Sequence, residues 1–300
     1  MRSLRLVVMF SALALIALVC IIAEQDVPEA NNPGIAPTPS LAEVTIMLDP
    51  GHGGANTGAY SYSDIPEKDY NNLLCAAVAV ELTSRGFTVV YTRRPDEDVY
   101  LLPLDRAEAA NRLRPDLFLS IHHNKDFFSS STRGYSIYYS SYRPALDSSG
   151  VYITVNGRRY EQFVKEQIVG NLTHAYYRDD SGRLRVVKKY EAEFFIYDRT
   201  PCSVATESGA VARHLATGFQ TLGFLKPHDG VAVEEKDFIV LRRTDVPSVI
   251  VEAGYISNQV EELLLSDAAN RATIADRIAD SLQDYFLKKL WRAAMQSATP

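Results

Sequence analysis

Residues 44–54 read VTIMLDPGHGG, which indicates a buried strand followed by a glycine-rich loop. The first half of this stretch is apolar and rich in β-branched residues, as a fully buried strand of an α/β protein is. Its second half is a glycine-rich loop that carries His52. Ligand sites of α/β proteins lie at the carboxyl ends of their parallel strands. We therefore expect a folded domain that begins near Glu43, with His52 at one edge of its sheet.

The segments that follow alternate between helical and extended patterns. Apolar residues at helical spacing predict helices over residues 68–86 and 103–113. Apolar runs predict strands over residues 87–91, 117–121 and 134–139. This alternation is typical of a parallel sheet with helices on its faces. The sequence therefore predicts an α/β fold, a single domain with a central, mostly parallel mixed sheet flanked by helices.

Residues 143–200 interrupt this alternation, and we interpret them as a hairpin-rich insertion. One hairpin is predicted over residues 152–160, because Asn156-Gly157 is a strong turn signal. A second hairpin is predicted over residues 176–189, and a short helix over residues 162–169 lies between the two.

The alternating pattern resumes after the insertion. A helix is predicted to begin at Thr200-Pro201 and to end at Gly223, since proline is favoured in the first turn of a helix. Strands are predicted over residues 237–241 and 248–252, and one or two amphipathic helices over residues 259–289.

The amino-terminal segment indicates export. Residues 1–23 combine a short basic start with an almost unbroken apolar run, which predicts a signal peptide or N-terminal anchor. Residues 24–43 are rich in proline, asparagine and alanine and predict a linker, so the folded domain is expected over residues 44–292. We therefore expect an exported protein, periplasmic or associated with the cell envelope, that meets a membrane only through its N-terminal segment.

Charge and cysteine content narrow the classes of partner. The formal net charge is −6, so the chain has no electrostatic reason to bind nucleic acid. Cys75 lies in an apolar helical pattern and is interpreted as a core residue. A disulfide between Cys75 and Cys202 is an alternative interpretation in an oxidising compartment. The sequence contains no CxxC pair, so nothing indicates a structural zinc knuckle.

Three residues at predicted strand ends are candidates for chemistry. His52 follows one strand, His122 ends another, and Glu252 ends a third inside an apolar run. Parallel strands bring their carboxyl ends to one crevice, so these side chains can converge. Catalytic zinc takes three protein ligands and leaves one position open. The third ligand is expected to be a carboxylate near His52, and the candidates are Asp49, Asp64, Glu67 and Asp69.

Several blocks of sequence resemble the zinc-dependent N-acetylmuramoyl-L-alanine amidases. The blocks occur in the order in which that family has them, which makes the resemblance specific. They cover most of residues 44–142 and 200–290. They are IMLDPGHGGA (46–55), IPEKDYNNL (65–73), VYTRR (90–94), LDRAEAAN (104–111), DLFLSIHHN (116–124), FIVLR (238–242) and VPSVIVEAGYISN (246–258).

The resemblance implies the roles that spacing left open. It implies that His52, Glu67 and His122 are the ligands of one zinc ion per chain, and that Glu252 is the catalytic carboxylate. It also implies a substrate, the amide that joins N-acetylmuramic acid to L-alanine in peptidoglycan. Hydrolysis of that bond would serve cell-wall remodelling or the separation of daughter cells.

Two departures from the family pattern put details in doubt. His123 stands where the family usually has a small residue, and residues 143–200 are longer than in its compact members. Some relatives block their zinc with an inserted glutamate until an activator protein withdraws it. Glu191 and Glu193 are candidates for such a plug here, against the alternative that both are solvated charges.

Three other interpretations compete with an amidase. A zinc peptidase that cuts within the stem peptide would use similar metal chemistry. A non-catalytic peptidoglycan-binding module would be expected to lack a ligand or the catalytic carboxylate, and this sequence has both. A membrane-tethered structural protein would not need the converging strand ends.

Overall fold

A six-stranded mixed sheet lies at the centre of the folded chain. The computed structural model describes residues 40–140, 151–169, 172–189, 191–198 and 203–297. The strands of the central sheet are β1 (Thr45–Pro50), β2 (Thr88–Tyr91), β3 (Leu117–Asn124), β4 (Ser136–Tyr139), β11 (Val233–Glu235) and β12 (Ser248–Tyr255).

The strand order of this sheet is β11-β4-β12-β3-β1-β2. Strands β2, β1, β3 and β12 run parallel to one another. Strand β4 is antiparallel to β12, and β11 is parallel to β4. The sheet is therefore mixed and mostly parallel, as the sequence predicts. The parallel strands bring the carboxyl ends of β1, β3 and β12 to one edge.

Six helices surround the sheet in the described part of the chain. They are α1 (Glu67–Ser84), α2 (Pro103–Leu113), α3 (Ser203–Phe219), α4 (Ile239–Arg242), α5 (Gln259–Ser266) and α6 (Ala268–Ser297). Helices α1, α3 and α6 pack on one face of the sheet, where they form the larger apolar core. Helices α2 and α4 cover the other face over a smaller core.

The central strands bury both of their faces. On β1, Ile46 and Leu48 enter the larger core, whereas Met47 enters the smaller one. On β3, Leu119 enters the larger core and Phe118 enters the smaller one. Side chains alternate across a strand, so a strand covered on both faces reads as a continuous apolar run. This is why residues 44–48 show no polar alternation.

Most of the predicted elements of the central domain are confirmed. Helix α2 has the predicted bounds, and α1 and the strands agree within a few residues. The predicted strand over residues 237–241 is wrong, because the chain there forms the end of a loop and the short helix α4. The amides of Leu241 and Arg242 both donate to the carbonyl of Phe238, which closes this helical turn. A short apolar run does not distinguish a strand from a buried helical turn.

The insertion forms two three-stranded antiparallel sheets. One contains β5 (Val151–Val155), β6 (Arg158–Tyr160) and β10 (Phe194–Asp198), and the other contains β7 (Gln162–Val169), β8 (Leu172–Arg178) and β9 (Leu184–Lys188). Both predicted hairpins are confirmed. At the first turn Asn156 and Gly157 have φ of 48° and 77°. Positive φ at both central residues is the geometry that an Asn-Gly turn favours.

The predicted helix over residues 162–169 is wrong, because these residues form strand β7. Phe163 is buried in a small core with Ala175 and Tyr177 of the neighbouring strand β8. Pairing with β8 satisfies the backbone of β7, and this tertiary contact outweighs local helical preference.

A buried cluster of charges joins the insertion to the central domain. Glu166 on β7 accepts hydrogen bonds from both terminal guanidinium nitrogens of Arg242 and from Nε of Arg243, the latter at 2.6 Å. Arg242 also pairs with Asp237. The side chains of Glu166 and Arg242 are 2% and 1% exposed. We call these four residues the tether.

The predictions for the chain's beginning and for its cysteines have different outcomes. Residues 1–39, with the predicted signal peptide or anchor and most of the linker, lie outside the described residues. No helix in the described part of the chain is long and apolar enough to cross a membrane. Cys75 is a free, fully buried thiol in the core, and its candidate partner Cys202 lies outside the described residues.

Replacing Glu166 with Gln should destabilise the folded chain. The change leaves Arg242 buried with less negative charge beside it, so the free energy of unfolding at pH 7 should fall by about 3 kcal/mol. Urea unfolding measures this difference. Glu193→Gln is the matched control, because it removes an exposed carboxylate from the same insertion. The control should change the free energy by less than about 0.5 kcal/mol.

The pH dependence of this difference provides a further check. Burial raises the pKa of Glu166, but Arg242 and Arg243 outweigh it, so its pKa lies below the ordinary value. The stabilisation is therefore complete above about pH 4.3, the ordinary glutamate pKa, and is lost as pH falls through the lower folded-state pKa. Equal free energies of unfolding for the parent and Glu166→Gln at pH 7 would contradict a stabilising role of the tether.

Candidate metal centre

Three side chains meet at the carboxyl edge of the sheet. One potential ligand atom from each of His52, Glu67 and His122 lies within 4.8 Å of the other two. Nε2 of His52 is 3.1 Å from Oε2 of Glu67, and Nδ1 of His122 is 3.0 Å from Oε1. The two imidazole rings meet edge to face, with centroids 4.9 Å apart. The structure thus brings together the three residues that the resemblance implies.

The backbone after β1 holds His52 in a constrained position. His52 has φ of 60°, in the left-handed region that few side chains adopt. Its carbonyl accepts hydrogen bonds from Arg93 Nε at 2.9 Å and from Arg106 Nη2 at 2.7 Å. Nδ1 of the imidazole lies 3.0 Å from Oδ1 of Asn56. When Nδ1 carries the proton and donates a hydrogen bond to Oδ1 of Asn56, Nε2 keeps the lone pair that a metal requires.

A buried ion pair anchors the same loop from below. Asp49 accepts hydrogen bonds from Arg106 at 2.6 Å, from Thr92 at 2.5 Å and from Ser120 at 2.7 Å. Burial raises the pKa of Asp49, but Arg106 and the hydrogen bonds outweigh it, so the pKa lies below its ordinary value. Asp49 is one of the four candidates for the third metal ligand. Both of its carboxylate oxygens are instead engaged in hydrogen bonds that hold the strands and α2 together.

Glu67 is the carboxylate that reaches both histidines. It is the first residue of α1, directly after Pro66, and its side chain is 6% exposed. Oε1 also accepts from Asn71 at 3.1 Å, and Oε2 accepts from the amide of Ala59 at 3.0 Å. Burial raises the pKa of Glu67, but the hydrogen bonds and charges of the two histidines lower it well below its ordinary value.

The remaining candidate carboxylates lie elsewhere. Asp64 and Asp69 are exposed, and neither belongs to the cluster found among the described residues. Glu191 and Glu193 are exposed as well, and Glu191 pairs with Lys188 at 2.6 Å. The structure therefore brings neither residue of the predicted plug to the three ligand candidates.

His122 depends on a glycine beneath it. A Cβ atom on Gly51 would lie 2.3 Å from Nε2 of the His122 ring, closer than such atoms can approach. The glycine-rich loop that the sequence shows is thus required by the close approach of the ring to the backbone.

His123 points to the opposite face of the sheet from His122, as alternation along β3 requires. It is buried, and its Nδ1 lies 2.8 Å from Oδ1 of Asn71. Burial lowers the pKa of His123 to about 4, so it is neutral at pH 7. His123 is not a member of the cluster. It contacts the asparagine that orients Glu67.

Sequence reasoning missed the residues that orient the ligand candidates. Asn56 and Asn71 each follow a candidate by four residues, which places Asn71 on the same helical face as Glu67. That spacing was a usable signal for Asn71. Arg93 and Arg106 carried no comparable signal, because their contacts with the loop are 41 and 54 residues away in sequence.

Glu252 lies beside the cluster without joining it. It pairs in register with His122 across β12 and β3. Its Oε2 atom is buried, and no group in the described part of the chain forms a hydrogen bond with it. Burial and the charge of Glu67 raise its pKa well above the ordinary value. A buried carboxylate without a partner is costly, which indicates a functional group.

A cavity of about 280 Å³ connects these groups to solvent. His52, His122 and Glu252 line it on one side, and Phe238, Ile239 and Val240 from the start of α4 line another. Two imidazoles and a carboxylate form a donor set that suits catalytic zinc. Glu252 lines the same cavity as the two histidines, so its carboxyl group lies beside a set of donors suited to a metal ion.

Comparison with known proteins identifies the family. A family model described as N-acetylmuramoyl-L-alanine amidase matches residues 46–284. An N-acetylmuramoyl-L-alanine amidase AmiC from Neisseria meningitidis is 31% identical over 241 residues, which are 80% of this chain and 52% of that protein. This chain therefore spans about half the length of that relative.

Solved structures share the fold. The amidase AmiC2 of Nostoc punctiforme matches with a TM-score of 0.56 and 22% identity, covering 83% of this chain and 99% of that one. The CwlD amidase of Clostridioides difficile, solved in complex with the GerS lipoprotein, matches with a TM-score of 0.55 and 20% identity over 81% and 98% of the two chains. The family match covers most of the chain and includes every residue of the site described above. This chain therefore belongs to the N-acetylmuramoyl-L-alanine amidase family.

Proposed function

We propose that this chain is a zinc-dependent enzyme that hydrolyses the amide between N-acetylmuramic acid and L-alanine in peptidoglycan. The observation that carries the proposal is the juxtaposition of the His52, Glu67 and His122 donors with Glu252, whose buried Oε2 has no hydrogen-bond partner among the described residues. Family membership supports the choice of bond. Hydrolysis of this bond would serve cell-wall remodelling or the separation of daughter cells.

His52, Glu67 and His122 are the proposed ligands of one zinc ion. Bound zinc supplies a Lewis acid for the amide carbonyl and lowers the pKa of water to roughly 7. The chain prepares the donor atoms for this role. Asn56 orients the ring of His52, and Asn71 and the amide of Ala59 hold the carboxylate of Glu67. Such supporting contacts fix the ligands before the metal arrives.

Glu252 is the proposed general base and acid. Its carboxylate takes a proton from the attacking water and delivers it to the nitrogen of the leaving L-alanine. Burial suits this role, because it raises the pKa of the carboxyl group well above its ordinary value. A general base works best when its pKa is close to the pH at which the enzyme acts. Its position beside His122 places it within the same cavity as the ligands.

The location of the proposed substrate agrees with an exported protein. We propose that residues 1–23 direct export or anchor the chain, that residues 24–43 form a linker, and that residues 44–292 form the catalytic domain. Peptidoglycan lies outside the cytoplasmic membrane, so the enzyme would act in the periplasm or cell envelope.

A regulatory partner is also proposed. One solved relative was crystallised with a lipoprotein, and this chain carries an insertion that contacts the cavity wall through the tether. Glu191 and Glu193 are exposed and do not belong to the cluster of candidate ligands, so a plug by either residue is not proposed. An activator that relieves inhibition by the insertion would instead act through the tether. If the insertion inhibits, Glu166→Gln should raise activity in the absence of a partner. Unchanged activity per folded molecule, with the folded fraction measured by circular dichroism, would contradict inhibition by this route.

Glu252→Gln should abolish hydrolysis while zinc remains bound. The amide keeps the shape of the side chain but removes the base, so kcat should fall by at least about 100-fold. Mass spectrometry of digested muropeptides measures the products, and metal analysis measures bound zinc. Full activity of Glu252→Gln would contradict the assigned role.

The products of the parent enzyme decide between the alternatives. A lactyl group freed from L-alanine identifies an amidase, whereas cleavage between amino acids identifies a stem-peptide peptidase. Chelation of zinc should remove the activity. Binding of peptidoglycan without any cleavage would identify a non-catalytic binding module.

Gly51→Ala should weaken zinc binding with little loss of folded structure. The new Cβ atom would overlap the ring of His122 and displace it from the other two ligands. We expect zinc affinity to fall by roughly 10-fold to 100-fold, as for other changes that misplace a ligand. Competition with a fluorescent chelator measures the affinity. Gly223→Ala is the matched control, because a Cβ atom there meets nothing within 4 Å. Equal affinity of both variants would contradict the role of His122.

A further inference from the structure

A second and larger groove opens beyond the same edge of the sheet. Its volume is about 940 Å³, and it shares no lining residue with the cavity at the candidate metal centre. Lys125 and Tyr255 line its near end. They lie three residues beyond His122 on β3 and Glu252 on β12, which is about 10 Å along the strand direction.

Lys125 connects this groove to the ligands. Its ammonium donates a hydrogen bond to the carbonyl of Tyr60 at 2.9 Å. The amide of the preceding residue, Ala59, donates to Glu67. The segment of Ala59 and Tyr60 therefore contacts both the candidate metal centre and the near end of the groove. Three residues of an extended peptide span about 10 Å, which is the separation along the strands given above.

The acidic side chains of the groove are mostly used to build its walls. Asp126 accepts from the amides of Phe128 and Ser129 and from the hydroxyl of Thr132. Glu261, which is 4% exposed, accepts from the amides of Gly134 and Tyr255. These carboxylates therefore have their hydrogen-bonding capacity engaged. The remaining acid, Asp229, is largely exposed beside His228.

Two cations of the groove form no close ion pair among the described residues, although burial raises the pKa of Glu261 and the charge of Arg133 acts to lower it. Arg133 and Lys226 are exposed, and neither forms an ion pair with another residue of the described ranges. They lie on adjacent segments, because the amide of Tyr135 donates to the carbonyl of Lys226 at 2.9 Å. The segments approach so closely that a Cβ atom on Gly134 would lie 2.8 Å from the Lys226 carbonyl. Arg133 and Lys226 therefore lie on adjacent backbone segments that line the same side of the groove.

Aromatic side chains border the cations. Phe127 and Phe128 are 77% and 100% exposed, and the ammonium of Lys125 lies 5.5 Å from the centroid of the Phe127 ring. Exposed apolar groups with a polar rim commonly mark a binding surface. Free cations beside aromatic rings suit a ligand that combines carboxylates with apolar side chains.

We propose that this groove binds the peptide arm of the substrate, with Arg133 and Lys226 pairing with its carboxylates. We call it the peptide groove. The inference rests on the proposed function for the identity of the substrate, but the binding itself does not require catalysis. Arg133 and Lys226 are specificity-determining residues, since neither touches the reacting bond.

The test compares Arg133→Gln, Lys226→Gln and the double variant with the parent chain. The probes are an N-acetylmuramoyl tripeptide with free carboxylates and the same compound with its carboxylates converted to amides. Each single change should lower kcat/KM for the free-carboxylate probe about threefold to fivefold through KM, and the double change about 10-fold. The kcat should stay within about twofold. The amidated probe should be a poor substrate for the parent and should lose nothing further in the variants. Arg133→Lys should restore most of the loss.

Binding of the free tripeptide, measured by calorimetry, separates this proposal from the proposed function. The parent should bind the tripeptide more tightly than the double variant by about 10-fold, whether or not the enzyme hydrolyses any substrate. Lys288→Gln is the control, because it removes an exposed cation from α6, far along the chain from the groove. Tripeptide affinity without hydrolysis would refute the proposed function alone. Equal affinity of parent and double variant, equal losses on the amidated probe, or binding of a peptide-free glycan instead would refute the peptide groove.

Discussion

The ion pair between Asp49 and Arg106 is the interaction on which the site depends. Asp49 ends the apolar run of β1 and accepts from Thr92 after β2, from Ser120 on β3 and from Arg106 on α2. Arg106 then donates to the carbonyls of Pro50 and His52. One buried carboxylate thereby fixes two strands, a helix and the loop that carries His52. Loss of one partner from such a pair leaves an uncompensated buried charge, which is strongly destabilising.

The two glutamates near His122 show how position sets chemistry. Glu67 lies between two imidazoles and an asparagine, and these partners hold its pKa well below the ordinary value. Glu252 is buried without a hydrogen-bond donor for Oε2 among the described residues, and its pKa is raised. Environments that push two carboxylates apart in pKa are those that give them different roles. This difference suits the roles proposed for them, with Glu67 as a metal ligand and Glu252 as the group that carries the proton.

The sequence predicted what local patterns and strand ends determine. The apolar runs of β1 and β3 and the periodicity of α2 placed the sheet and its covering helices. Convergence of His52, His122 and Glu252 followed from parallel strand ends, but local chemistry left the third ligand among four carboxylates. Only the resemblance singled out Glu67. The helix predicted over residues 162–169 is wrong, because pairing with β8 makes these residues a strand. No local periodicity in the sequence indicates such pairing.

Side-chain contacts between residues far apart in the sequence could not be predicted, because no local pattern specifies the partner. Glu166 and Arg242 are 76 residues apart in sequence, and nothing near either residue specifies the other. Their pairing nevertheless changes how the insertion is understood. Glu191 and Glu193 are exposed, so the predicted plug gives way to a contact between β7 and the end of α4.

Helix α4 joins the insertion to the cavity. Phe238, which precedes it, and Ile239 and Val240 line the cavity. Arg242, two residues further on, is clamped by Glu166 and Asp237. One turn of helix therefore connects the contact with β7 to residues that line the cavity. The three candidate ligands lie on the loop after β1, on α1 and on β3, and none of these elements contributes to the tether. The elements that carry the proposed metal centre are therefore different from those through which the insertion contacts the cavity wall.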